Sequence, residues 1–292
     1  MQLPDSELII NPDGSIYHLN ILPEDVAQTV IFVGDPERVS SVSKHFDTIE
    51  IKKQKREFVT HTGTLQGKRM TVISTGISTD NIDIVLNELD ALVNLDLKTR
   101  RVKKQLTQLD IVRIGTSGSM QKDVKIDDLL VSAVGVGMDG LMNFYNFKYG
   151  KKAQAIQSGF EKLLDKHIDA MVTPYVFKAD KKLLNQIGHD MKKGITLTCP
   201  GFYAPQGRQL RASSQLDIRF TKATAKLKFG KDRFTNFEME TAGIYGLAAV
   251  LEHRALSCNA ILANRITNKF SQKPKKTVAK LIKIVLERLV SE

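Results

Sequence analysis

The chain has no tryptophan and only two cysteines, Cys199 and Cys258, in 292 residues. Two cysteines make neither a disulfide framework nor a metal-ligand pattern, and a reducing cytoplasm is the simplest expected setting. No apolar run approaches the roughly 20 residues needed to span a bilayer. The longest, such as Asp128 to Val136, are strand-sized. The opening, Met1 to Asn11, has an acidic start and no basic segment ahead of an apolar core, so no signal peptide is expected. Prolines and glycines are scattered, with no linker, repeat or low-complexity segment. Acidic residues are in deficit, 32 against 43 lysines and arginines, for a net charge of +11. The excess sits in blocks, Lys98 to Lys104, Lys148 to Lys152, Lys222 to Arg233 and Lys273 to Lys283. No aromatic residues interleave with arginine there as a nucleic-acid stacking platform requires, so the blocks read as solvated faces.

Hydrophobic content of 42% is ordinary for a globular core, and the pattern alternates between two periods. Val30 to Val33 is a short apolar strand ending at Gly34. Asp35 as N-cap and Pro36 at the first helical position then open a helix to about Phe46. Arg69 to Thr75 reads as a strand, and Ile82, Val85, Leu86 and Leu89 give a helix over Asn81 to Val93 helical spacing. Leu109 to Ile114 and Asp128 to Val136 are strands, with a shorter one at Ile261 to Ala263. Helices are expected over Ala153 to Leu164, Lys178 to Gly188, Glu240 to Glu252 and Lys276 to Leu289. This alternation predicts an α/β single domain over residues 1–292, with a mixed, mostly parallel sheet covered on both faces and ligands at strand ends.

Five segments carry chemistry. Val33-Gly34-Asp35-Pro36-Glu37-Arg38 puts a glycine at a strand end, free helix amides after it and Arg38 in the first turn, which suits an anion. Arg113 lies inside a β-branched strand before a Gly115-Thr116-Ser117-Gly118 turn. Buried there, it needs a partner, and the turn offers amides and hydroxyls for phosphate oxygens. Lys55-Arg56-Glu57-Phe58 precedes a strand to Leu65. Gly201 to Arg208 combines Phe202, Tyr203, Gln206 and Arg208 in one Gly/Pro-bounded loop. That equipment stacks on a planar ring and bonds its edge, the amide donating and accepting while arginine only donates. In Asn236 to Thr241, Glu238 and Glu240 lie two apart ahead of a small-residue helix start, placed to accept from sugar hydroxyls or to cap the helix.

In this order the five segments resemble the nucleoside phosphorylase-I family, and within it the uridine phosphorylase branch, from His18 to about Arg265. The resemblance implies a three-layer α/β/α domain with a mixed central sheet, assembled as a homodimer or a hexamer of dimers. It implies a phosphate site at Gly34, Arg38, Arg113 and Thr116, with Arg56 lent by a neighbouring subunit. His18, in Ile16-Tyr17-His18-Leu19, is similar to a histidine lent across the dimer to the ribose 5′-hydroxyl. Met239 and Glu240 match the ribose pair, with Glu240 on the 2′-hydroxyl. Phe202, Gln206, Arg208, Phe237 and Glu238 match the base pocket, with Ser117 and Gly118 where base and sugar pass. Glu57 resembles a residue of a monovalent-cation site. No organic cofactor is implied, and inorganic phosphate is the co-substrate. The chain departs from the family in three places. Ser78 stands where the family commonly has glycine, a basic insertion occupies about residues 96–108, and the segment after Arg265 is shorter.

The implied reaction is phosphorolysis of a pyrimidine nucleoside, with Arg113, Arg208 and Glu240 as its central residues. Arginine forks hold phosphate beneath C1′, and Gln206 with Arg208 meets the charge growing on the base. A purine nucleoside phosphorylase of this fold would need an aspartate to protonate the purine, where this chain has Leu262-Ala263-Asn264-Arg265. A nucleoside hydrolase would not need the phosphate arginines. An idle, basic nucleic-acid-binding member would account for the charge but not for the pocket set.

Overall fold

The computed structural model describes residues 2–291. Its frame is a mixed sheet whose central strand, Thr29–Val33, is buried throughout and flanked in parallel by Lys68–Ser74 and Asp110–Ser119. Successive side chains of a strand face opposite sides, so this one strand feeds two cores. Val30 and Phe32 pack with Ile82, Val85, Leu86 and Leu89 of the Thr79–Asn94 helix and with the buried Thr241–Val250 helix. Ile31 and Val33 pack with Val39 and Val42 of the Pro36–Ser43 helix and with Leu281, Ile282 and Val285 of the Pro274–Val290 helix. Helices on both faces of one sheet make the three-layer α/β/α arrangement.

The sheet also curls. Asp110–Ser119 pairs in parallel with Arg254–Asn264, and its far end meets Asp232–Glu238 antiparallel at Gly118 and Ser119. Asp232–Glu238 runs parallel to Lys192–Thr198, which runs parallel to Leu129–Gly137. Leu129–Gly137 is antiparallel to Arg254–Asn264, so these five strands close on one another. The closure brings the ends of Asp110–Ser119 and Asp232–Glu238 together, and the cavity described below forms there.

Most expected elements are present, with four corrections. Gly115 to Gly118 is not a turn but the continuation of the Asp110–Ser119 strand. Glycine is required there because a Cβ on Gly115 would overlap the Arg113 guanidinium folded back across it, and one on Gly118 would lie 2.9 Å from the Phe237 ring. The late strand is Arg254–Asn264, longer than Ile261 to Ala263. Lys178 ends a strand, Tyr175–Lys178, and the helix begins at Lys181, where Asp180 caps the Leu183 amide at 2.9 Å. Thr48–Lys55 is a strand that its largely polar, solvent-facing sequence did not reveal. Asp35 caps as expected, accepting from the Glu37 amide at 2.9 Å.

The basic insertion holds a short hairpin, Leu95–Asp96 against Arg101–Val102, and residues 101–108 are exposed. It is tied to the chain start: the Leu3 amide donates to the Arg100 carbonyl at 2.9 Å, and Arg100 pairs with Asp5 at 3.0 Å. Among the described residues no helix is long and apolar enough to cross a membrane.

Candidate active site

Strand ends and the loops that follow them enclose a cavity of about 770 Å³. Fourteen of the sixteen expected site residues line it: Gly34, Arg38, Glu57, Arg113, Thr116, Ser117, Gly118, Phe202, Gln206, Arg208, Phe237, Glu238, Met239 and Glu240. Arg56 and His18 do not. Arg56 sits exposed at the tip of the hairpin joining Thr48–Lys55 to Phe58–Leu65, with φ of 54°. His18 is held elsewhere: Glu88 lies 2.6 Å from its Nδ1 and accepts its backbone amide at 3.0 Å and that of Leu19 at 2.9 Å. A carboxylate on Nδ1 fixes the tautomer with the proton there and leaves Nε2 as the free ring nitrogen.

At the cavity floor Arg113, 5% exposed, is gripped from three sides. It donates to a Glu240 oxygen, reaches Glu238 at 3.4 Å and donates to Asn259 Oδ1 at 3.3 Å. Burial works against its charge, but Glu240 and Glu238 outweigh that and hold its proton more firmly. Burial pushes the Glu240 carboxyl up, and Arg113 pulls it back. With this guanidinium against it, the ionised carboxylate is the form that the geometry favours. Glu238 has a second task, since one of its oxygens accepts the amides of Glu240 and Thr241 at 2.8 and 2.9 Å and caps the Thr241–Val250 helix. Of the two functions that the sequence allowed for this carboxylate pair, Glu238 thus takes the helix cap, while Glu240 is turned to Arg113. Arg38 donates to the Ile114 carbonyl at 3.3 Å, and burial with Arg113 nearby lowers its pKa.

At the other end, the Arg208 guanidinium lies 3.9 Å over the Phe202 ring and 5.4 Å from Phe237. It donates to the Phe202 carbonyl at 2.7 Å and to the buried Gln206 side-chain oxygen. Burial, and then the charge of Arg265, push its pKa down to about 10, so it stays cationic at neutral pH. With the Gln206 oxygen engaged, its amide N–H groups are left for a ligand carbonyl. An aromatic platform, an amide and a guanidinium thus converge on one place.

Residues 28–291 match the phosphorylase superfamily. The chain belongs to that superfamily. Over 270 residues it is 31% identical to a uridine phosphorylase of Thermococcus kodakarensis, covering 91% of this chain and 84% of that one. It is 28% identical to a DeoD-type purine nucleoside phosphorylase of a Thermoanaerobacter species, over 92% of this chain and 97% of the other. The crystal structure of a Trypanosoma brucei nucleoside phosphorylase, shown to have uridine phosphorylase activity, superposes with a TM-score of 0.89 at 29% identity, covering 98% and 100% of the two chains. Relatives thus act on both pyrimidine and purine nucleosides, and the choice for this phosphorylase rests on its own pocket.

Several contributors escaped the sequence reading. Arg265 donates to the Gln206 and Gly207 carbonyls at 3.1 and 3.0 Å, holding the base-side loop in place. The Ser78 amide donates to Glu240 at 2.8 Å, and Asn81 donates to Glu57 at 3.2 Å. Asn259 carried the same signal that exposed Arg113, a polar residue in an apolar strand. Ile77, Leu262 and Phe270 complete the wall and offered no such signal. Asn264 is absent from the lining. Its amide donates to the Gln121 and Val124 carbonyls at 2.8 and 2.9 Å, and its oxygen accepts two amides of the following turn, so it shapes the strand end.

Proposed function

We propose that this phosphorylase cleaves uridine with inorganic phosphate, giving uracil and ribose 1-phosphate. The observation that carries this reading is the Gln206–Arg208 pair on the Phe202 and Phe237 rings. Uracil presents two carbonyls flanking an N–H: the amide N–H and the guanidinium donate to the carbonyls, and the second lone pair of the Gln206 oxygen accepts the N–H. A purine leaving group needs a proton on its ring, and the four acids of the lining do not serve that end. Glu238 caps a helix and Glu240 is bound to Arg113, while Asp35 and Glu57 hold the Glu37 amide and Asn81.

In this reading Arg38, Arg113 and Thr116 hold phosphate beneath C1′. Its oxygen forms the new bond there as the C1′–N1 bond breaks, and that bond's electron pair leaves on the uracil. Glu240, with Met239, holds the ribose so that the reacting atoms stay in line. Arg208 and Gln206 donate to the base more strongly as it becomes anionic. Uracil release should therefore require phosphate, with ribose 1-phosphate formed in equal amount. Equal turnover in phosphate-free buffer would move the protein to the hydrolases.

The reading includes a second copy of the chain. One chain's lining holds three arginines against four carboxylates, a poor balance for a phosphate dianion. Arg56 and His18, both outside their own cavity, are joined through their chain neighbours. Lys55, next to Arg56, sits 4.5 Å over the Tyr17 ring and donates to the Tyr17 carbonyl, next to His18. We take this joined pair as what one subunit lends to its partner, in a dimer or a hexamer. A monovalent cation belongs to the same proposal. Asn81 Nδ2 lies 3.2 Å from Glu57 Oε1 and 3.5 Å from the Ile77 carbonyl, gathering two oxygens of the kind such an ion takes. Mixing inactive Arg56→Ala subunits with inactive Arg113→Ala subunits should restore part of the activity through hybrid sites. Fully active monomers at high dilution would refute shared sites.

A further inference from the structure

Ser78 has φ 83° and ψ 163°, a region that residues other than glycine rarely enter because of their Cβ. It differs in this from Arg56, whose φ of 54° falls in the commoner left-handed range of turns. Ser78 directly precedes the Thr79–Asn94 helix, where a serine hydroxyl ordinarily caps an amide, yet its side chain makes no cap bond. Neither the side chain nor the helix gains from the conformation. What it achieves is the direction of one N–H, which donates to Glu240 Oε1 at 2.8 Å. The other Glu240 oxygen takes Arg113. One donor on each oxygen stops the carboxylate from rotating and fixes the lone pairs that remain.

The surroundings impose the strain from both sides. Upstream, the Thr75 amide donates to the Val33 carbonyl at 2.8 Å, and Gly76 turns the chain with φ of 69°. Downstream, the Thr79 hydroxyl donates to Asp139 at 2.9 Å, and the Tyr175 hydroxyl holds the same carboxylate at 2.7 Å. Strain that persists at a site because its neighbours over-determine it points to function there.

We propose that Ser78 is a positioning residue whose strained backbone aims Glu240 at the substrate's 2′-hydroxyl and so sets the preference for ribonucleosides over 2′-deoxyribonucleosides. This rests on the uridine reading, and three measurements on the full-length protein separate the two. Uracil release from uridine by the unaltered enzyme comes first, and its absence counts against the reading itself. Second, Ser78→Gly should melt a few degrees higher, since glycine enters this region without the Cβ clash. An unchanged or lower Tm would mean that any strain is no greater than the stability lost to glycine's freedom in the unfolded chain, and would overturn the proposal without reference to activity. Third, Ser78→Val forces the residue toward extended backbone and turns the N–H away. The ratio of kcat/KM for uridine to that for 2′-deoxyuridine should then fall by about tenfold, the usual effect of one lost hydrogen bond to a charged group. In a Glu240→Ala background the same change should lower the ratio no further. Ser78→Thr serves the same comparison if the valine protein does not fold. An unaltered ratio, or an equal fall in the Glu240→Ala background, would overturn the proposal.

Discussion

Arg113→Ala should lose measurable phosphorolysis and destabilise the fold together. The guanidinium lies between Glu240 and Glu238 at the cavity floor, with all three residues only 5% exposed. Removing one partner of a buried ion pair strands the other charge, at a cost of about 3–5 kcal/mol. For a chain of this length that is a fall in Tm of roughly 5–8 °C. Arg113→Lys restores a charge but not the planar fork that spans Glu240 and Asn259, so it should recover part of the stability and little activity. Calorimetry and a uracil-release assay on the two variants check both expectations. An alanine protein with the unaltered Tm would show that Arg113 is not what neutralises the two carboxylates.

Arg208→Ala should behave in the opposite way, with stability nearly intact and catalysis badly hurt. Its side chain is only partly buried and bonds only within its own loop, to Phe202 and Gln206. Its work comes as the base departs with negative charge. Loss of such a preorganised donor lowers kcat on the order of a hundredfold, with a smaller change in KM. The deficit should shrink with 5-fluorouridine, whose more acidic base needs less help to leave. Inosine should be cleaved far more slowly than uridine by the unaltered enzyme. Inosine turnover matching uridine, or an unimpaired alanine variant, would sink the pyrimidine assignment.

The legible parts of this site shared one physical property: they were residues out of place. Arg113 in a β-branched strand, aromatics beside an amide and an arginine in a Gly/Pro-bounded loop, and paired carboxylates before a small-residue helix all imply a partner that the local sequence does not supply. The cavity collects them. Arg265 and Asn81 were not out of place, and Ser78 stood out only against the family's glycine. Arg265 acts through main-chain carbonyls and Ser78 through its own amide, which every residue but proline possesses. Gly115 to Gly118 read as a phosphate-type turn because glycines usually punctuate chains. Here they are strand residues whose missing Cβ atoms make room for Arg113 and Phe237.

By itself the sequence determined the alternation of strands and helices, because hydrophobic period is a local property that survives in any context. It likewise determined that arginines, carboxylates and ring-stacking groups must gather somewhere. Only the tertiary structure decided where. Pairing of Asp110–Ser119 with Asp232–Glu238 closes the sheet and brings Gly118 against Phe237, a contact across 119 residues of chain that no spacing rule encodes. The same closure sets Arg113 against Glu240, turns Glu238 to capping and leaves His18 and Arg56 outside their own cavity. Strand pairing between distant segments depends on the packing of the whole sheet rather than on either segment's residues, and a linear reading stops at that point.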